Sequence, residues 1–307
     1  MMNNINEDDE VKIIGGGNLT YDEMMRKRQC RLNDETSKSK GKVLVLLLLL
    51  LCCVVCTLAY FLWNANRHNL KYDVSRTSEA VVNDLGQYKP EGVPSVSLVK
   101  DSVNGVVFKL YTIKNLTMTL ETEVYPDESD SAIYFISRAM DYRKDSKEMI
   151  GEFIVDGKRM GEGRNRLAYM ASLPGGLPQI GIGCDDVVPD FVSGRDGSMI
   201  RQFALVSAGQ ICTDQFELKG KVTRAAYMWK EDNPAVVYFM ETLTKETLYD
   251  FSEAIVDYGF TDAIYITDGV WEHRFYRDET GAARDTTASA EKKSKRQYVV
   301  FKMISSR

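Results

Sequence analysis

Residues 43–63 read VLVLLLLLLCCVVCTLAYFLW, with no charge, no proline and no glycine. This run constrains the chain more than any other feature. A helix of about 20 apolar residues crosses a bilayer core of roughly 30 Å. A helix buried in a soluble core normally keeps one polar stripe, and this run has none. A cleaved signal peptide fits poorly, because its n-region would extend to residue 42 and its apolar core would exceed the usual length of roughly 7–15 residues. Leucines precede Cys52, so no small residue marks a lipoprotein cleavage site. The run therefore reads as a retained signal anchor with membrane lipid as its partner. Tyr60 and Trp63 fit the aromatic belt near its exit.

Orientation follows from the flanking basic residues. Arg26, Lys27, Arg28, Arg31, Lys38, Lys40 and Lys42 stand on the N-side, against Arg67, Lys71 and Arg76 on the C-side. Seven against three places the N-terminus in the cytoplasm and everything after Trp63 in the periplasm or outside the cell. Cys30 is then cytosolic, while Cys52, Cys53 and Cys56 lie in the membrane as small apolar groups. Cys184 and Cys212 are left in the exported part, to pair in an oxidising compartment or to remain two thiols. No Cys/His spacing suggests zinc.

The expected organisation is a cytosolic tail (1–42), the transmembrane helix (43–63), a stem and linker (64–95) and an exported domain (96–307). The tail carries equal numbers of acidic and basic residues. Thr20 and Glu23 offer a capping box for a short helix through Arg31. The net charge of −5 provides no broad basic surface for nucleic acid. In the stem, SEAVVNDLG suggests a short helix and YKPEGVPS a Pro/Gly linker.

Beyond residue 95 the texture turns to strand. GVVFKLYTI, LTMTLETEVY, SAIYFISRAM, LPQIGIGC, IRQFALVSAGQIC and YVVFKMI are apolar or alternating runs of strand length. EFIVDGKRM predicts a hairpin turning at Asp156-Gly157, and VTRAAYMWKEDNPAVVYFMETL another turning at Asp232-Asn233-Pro234. Leu248, Phe251, Ile255 and Tyr258 recur on one helical face, which predicts a helix over 245–258 capped by Thr244 and ended by Gly259. Asp262–Thr267 follows as a buried central strand. The polar stretch DETGAARDTTASAEKKSKRQ reads as a mobile loop. The fold class is α+β, a mixed β-sheet domain with few helices, preceded by one transmembrane helix.

The order hairpin, RQFALVSAGQI, KGKVTRAA, helix, GFTDAIYITDG resembles the phosphodiester glycosidase superfamily, the family of N-acetylglucosamine-1-phosphodiester α-N-acetylglucosaminidase, and looks closest to a bacterial membrane-anchored branch of it. The resemblance covers about residues 151–269. Three family motifs bear on it. The family's arginine looks like Arg224 in KVTRAA. Its late Asp-Gly-Gly turn looks like ITDGV, with Asp268 and Gly269, although strict register places Thr267 at the family's aspartate. Its Asn-Gly-Gly-Phe segment corresponds to IGEFIVDG, where Gly151 and Phe153 match but Ile150 and Glu152 depart.

The resemblance implies removal of a sugar from a phosphodiester, and that chemistry defines the candidates. Arg224 and Arg201 offer planar forks of donors for a phosphate. Asp268, closing an apolar strand beside Gly269, offers the carboxylate that stabilises an oxocarbenium ion or activates water. Glu272 and His273 follow within the same segment, and His273 suits acid/base work near neutrality. Glu152 is a further carboxylate. Against these stand bland alternatives: structural ion pairs for the arginines, a turn aspartate, a solvated histidine. Asp185, Asp186 and Asp190 read as solvated acids more readily than as cation ligands. No nucleotide-binding or dinucleotide fingerprint identifies a cofactor. Two functions follow: a hydrolase of sugar-1-phosphodiesters in envelope glycans, or a degenerate relative that binds glycan or an envelope protein without turnover.

Overall fold

The computed structural model describes residues 20–67, 73–139, 149–162, 166–212, 220–230, 233–268, 275–285 and 297–304. The chain divides into two compact units, residues 1–67 and 68–307. In the first, α1 (Tyr21–Arg67) is one continuous helix of 47 residues, so the short helix expected to stop at Arg31 instead runs on into the apolar segment. Glu23 reaches back to the Thr20 N–H at 3.3 Å, which is half of the expected capping box. Val45–Leu62 is long and apolar enough to cross a membrane.

The second unit is α+β. Its first sheet has seven strands in the order β1 (Ser95–Val103), β2 (Val106–Lys114), β13 (Val236–Thr242), β12 (Arg224–Trp229), β14 (Asp262–Asp268), β10 (Ala204–Ser207) and β11 (Gln210–Ile211). A five-stranded sheet runs β16 (Ala283–Asp285), β15 (Phe275–Arg277), β4 (Ile133–Arg138), β17 (Gln297–Lys302) and β3 (Thr117–Thr122). Another runs β6 (Lys158–Glu162), β5 (Gly151–Val155), β9 (Ser198–Gln202), β7 (Ala168–Ser172) and β8 (Gln179–Ile182). The helices of this unit are α2 (Ser78–Gln87), α3 (Val187–Ser193) and α4 (Leu248–Asp257).

Period-two alternation sorts the apolar residues between cores. On β12, Ala225, Tyr227 and Trp229 enter the central core, where they meet Phe135 and Phe301 of the second sheet and Phe153 and Ile200 of the third. Ala226 and Met228 face the other way, onto Leu248, Phe251 and Ile255 of α4. β14 alternates likewise, with Ile264 and Ile266 in the central core and Ala263 and Tyr265 under α4. It lies between β12 and β10, which is the central position expected of it.

α4 begins later than expected, and Thr247 rather than Thr244 caps it, accepting from the Asp250 N–H at 3.0 Å. The reason is local. Glu246 is held extended by reciprocal backbone bonds to Val222, and Thr244 Oγ1 is engaged by the Val107 N–H. Gly259 ends the helix at φ +92°, with its N–H on Val256 O and that of Phe260 on Ile255 O. This is a Schellman closure that favours glycine.

Both expected hairpins form, β5–β6 through Asp156-Gly157 and β12–β13 through the turn before Val236. A third, β1–β2, turns at Asn104-Gly105 with φ of 50° and 80°. The stretch expected as a mobile loop contains a hairpin at its start. β15 pairs with β16 around Asp278, whose carboxyl is held down to about 2 by the Thr280 hydroxyl and the Arg284 guanidinium. Residues 286–296 of that stretch lie outside the described residues. Within the stretch expected as a stem, α2 buries Val81 and Leu85 against Val188, Val192 and Met199, so residues 73–88 belong to the folded body. Cys184 and Cys212 remain thiols.

Candidate functional site

Antiparallel pairing of β12 and β14 stands Arg224 opposite Asp268. Ala226 pairs with Tyr265, so an unbroken register would have placed Thr267 opposite Arg224; a one-residue bulge on β14 brings Asp268 there instead.

Arg224 is buried, at 2% exposure. Its Nε donates to Glu246 O at 3.0 Å, Nη2 to Gly220 O at 2.8 Å and Nη1 to the Tyr265 hydroxyl at 3.2 Å. Its backbone N–H donates to Thr242 Oγ1 at 2.8 Å. The Val222–Glu246 bridge supplies the carbonyl, so the irregular entry to α4 builds the socket of this arginine. Glu246 and Tyr265 escaped sequence reasoning, since Glu246 acts through its main-chain carbonyl, which leaves no residue-type signature, and Tyr265 reads as one apolar position of a buried strand.

Arg201 is equally buried but belongs to the third sheet. It pairs in register with Glu152 across β5 and β9. Its five N–H groups meet five acceptors: Arg166 O at 2.9 Å, Gly183 O at 2.9 Å, Asp185 O at 3.0 Å, and carboxylate oxygens of Glu152 and Asp186, each at 3.4 Å. A guanidinium has five N–H donors, so this one is spent on pinning the loop after β8. Glu152 is itself clamped between Arg201 and Arg159, the latter at 3.3 Å. Arg159 also reaches Asp190 at 3.2 Å, and Asp185 accepts from Ser78 Oγ. The acidic loop is therefore neutralised by arginines and a hydroxyl, and no cluster able to hold a metal ion occurs among the described residues.

The structure thus brings Arg224 and Asp268 together, and separately Arg201 and Glu152. The described partners of the two guanidiniums have no residue in common. Gly269, Glu272 and His273 lie outside the described residues. Burial pushes the Tyr169 phenol, beside Ser78 and Asp185, well above its ordinary range.

No known family profile matches this sequence, and no curated protein matches it. Among solved structures the chain is similar to the catalytic domain of zebrafish N-acetylglucosamine-1-phosphodiester alpha-N-acetylglucosaminidase auto-inhibited by its pro-peptide. The identity is 9% and the TM-score 0.49, over 78% of this chain and 97% of that one. It is also similar to a hypothetical protein from Synechocystis, at 10% identity and a TM-score of 0.44, over 68% of this chain and 62% of that one. Both likenesses are distant.

Proposed function

We propose that the chain is a membrane-anchored, phosphodiester glycosidase-like protein whose folded body, on the far side of the membrane from a cytoplasmic N-terminus, hydrolyses a sugar-1-phosphodiester in envelope glycans. The observation that carries this reading is the register of β12 and β14. It stands Arg224 opposite Asp268, residues of the KVTRAA and ITDGV stretches that resemble the family's arginine and late Asp-Gly turn.

Breaking the bond between the anomeric carbon and the phosphate oxygen builds positive charge on the sugar ring. Asp268 is the carboxylate proposed to meet that charge. Arg224 is its backbone register partner across β12 and β14. Phosphate is already a good leaving group, so the demand on His273 is modest: it donates or accepts a proton from the same segment. Gly269 gives the substrate close access to the backbone. Arg201 and Glu152, expected to touch substrate, enter the proposal instead as a charged frame for the loop after β8, because every Arg201 donor already has a protein acceptor.

A specific observation favours the second reading, a module that binds such ligands without turnover. Glu152, the other candidate carboxylate, lies between two arginines and is engaged in holding the third sheet rather than open to a ligand. The full-length chain in detergent micelles, incubated with a panel of sugar-1-phosphodiesters, separates the two. Free sugar in the supernatant supports hydrolysis. Calorimetric binding without release selects the module, and neither outcome removes the sugar phosphodiester from the account.

A further inference from the structure

The opposite end of β14 carries a different arrangement. Asp262 and Asp268 bound this strand of seven residues, about 20 Å apart at some 3.3 Å per residue. Residues 73–77 lie across the Asp262 end as a strap. Ser207 Oγ donates to Asp73 O at 2.7 Å. Ser75 Oγ stands 2.7 Å from both carboxylate oxygens of Asp262. The Arg76 guanidinium lies over the Trp229 ring, 4.1 Å from its centroid, and donates to Gln179 Oε1 at 3.0 Å and to Asp84 at 2.7 Å.

This packing leaves an anomaly. Trp229 Nε1, Gln179 Nε2 and Arg76 Nε are all buried and have no acceptor among the described residues. Gln179 is 0% exposed and Trp229 2%. Burying a donor without an acceptor is costly, and three orphaned donors at one guanidinium call for an explanation. The strap satisfies the acceptors beneath it, Asp262 and Gln179 Oε1, and leaves the donors unmet.

We propose that the strap occupies a saccharide-binding cleft formed by Trp229, Gln179 and Asp262, with Ser75 and Arg76 standing in for the ligand. The hydroxyl of Ser75 sits on Asp262 as a sugar hydroxyl would, and the flat face of Arg76 covers the indole as a pyranose ring would. A polyol meets the whole set, because each hydroxyl both donates and accepts. It gives protons to Asp262 and takes hydrogen bonds from the indole and the amide. A phosphate or carboxylate does not. An ionised carboxylate has no donor for Asp262, and either anion is repelled by Asp262 and Asp84. Release of the strap opens the cleft, so access is governed by the segment that leads into the folded body.

The test uses full-length chain in detergent micelles and calorimetric titration with glucose, N-acetylglucosamine, their disaccharides and inorganic phosphate. Ser75→Ala with Arg76→Ala should tighten the Kd for at least one saccharide tenfold or more over wild type. Adding Asp262→Asn or Trp229→Leu should abolish the gain, and phosphate should bind no better than before. A folded strap variant with unchanged saccharide affinity, or one that gains phosphate instead, overturns the proposal. Hydrogen exchange on wild type gives an arm that no variant can spoil. Amides of the strap should exchange well ahead of those of Ile264 and Tyr265. Exchange of the strap only with global unfolding contradicts an opening cleft.

Discussion

Arg224 stands opposite Asp268 because β14 carries one more residue than β12 between this pair and the Ala226–Tyr265 pair. The guanidinium is at the same time a structural clamp, joining the carbonyls of Gly220 and Glu246 to the Tyr265 hydroxyl. Arg224→Ala removes the donors to the buried Glu246 carbonyl and Tyr265 hydroxyl and should cost roughly 3 kcal/mol or more in denaturant melts, since hydrogen bonds to a charged group contribute about 1.5–3 kcal/mol each. A cost below about 1 kcal/mol would show that the socket does not hold the residue.

Glu152 and Arg201 make the matching relationship in the third sheet, also as register partners. Removing the carboxylate leaves Arg201 buried without its principal countercharge, and breaking one side of a buried pair costs roughly 3–5 kcal/mol. Glu152→Ala should therefore lower stability by about that amount, measured by urea titration. A stable Glu152→Ala protein that has lost turnover would return Glu152 to the chemistry.

Asp262 governs a pH dependence. Burial lifts its carboxyl above the ordinary carboxylate range, against the hydrogen bonds of Ser75, Thr261 and the Ala208 N–H and the charge of Arg76. Its folded pKa exceeds the unfolded one, so its contribution is fully present below the unfolded pKa and fades as pH rises through the folded value. Relative to Asp262→Asn, wild type should gain stability as pH falls from about 7 to about 4. Parallel stability curves for the two proteins would show that the carboxyl keeps an ordinary pKa.

α4 anchors the first sheet through Phe251, which is fully buried with Leu248 and Ile255 against Phe108, Met240 and Ala263. Phe251→Ala should cost roughly 3–5 kcal/mol by denaturant melt. A loss below about 1 kcal/mol would mean that this face can collapse around the missing ring.

What the sequence disclosed, it disclosed through period and punctuation. The 248, 251, 255 spacing with Gly259 marked α4, and the apolar run 262–267 marked β14. Asp156-Gly157 marked its hairpin. Asn104-Gly105 carries the same turn signal, but β1 exposes Val99, Lys100, Asp101 and Ser102 and shows little apolar alternation to mark a hairpin beside it. The start of α4 was not legible, since the Val222–Glu246 bridge that delays it joins residues distant in sequence. The helix in SEAVVNDLG was legible and is α2, but the docking of residues 73–88 on the body was not, because their polar composition reads as a stem. Only the tertiary positions of Asp262, Gln179 and Trp229 make Ser75 and Arg76 part of the body. At the candidate site the residue types were legible and the partners were not. Arg201 has the composition of a phosphate ligand, and its five protein acceptors are visible only in three dimensions.

The central claim, that Asp268 beside Arg224 performs sugar-phosphodiester hydrolysis, is tested most directly by free-sugar release from the responsive sugar-1-phosphodiester, comparing wild type with Asp268→Asn at matched concentration and with melting temperatures measured in parallel. Asp268→Asn should lower the release rate by a thousandfold or more, equivalent to about 4 kcal/mol of transition-state stabilisation, with the melting temperature unchanged. Release by Asp268→Asn at the wild-type rate, from a protein that melts at the wild-type temperature, would contradict it.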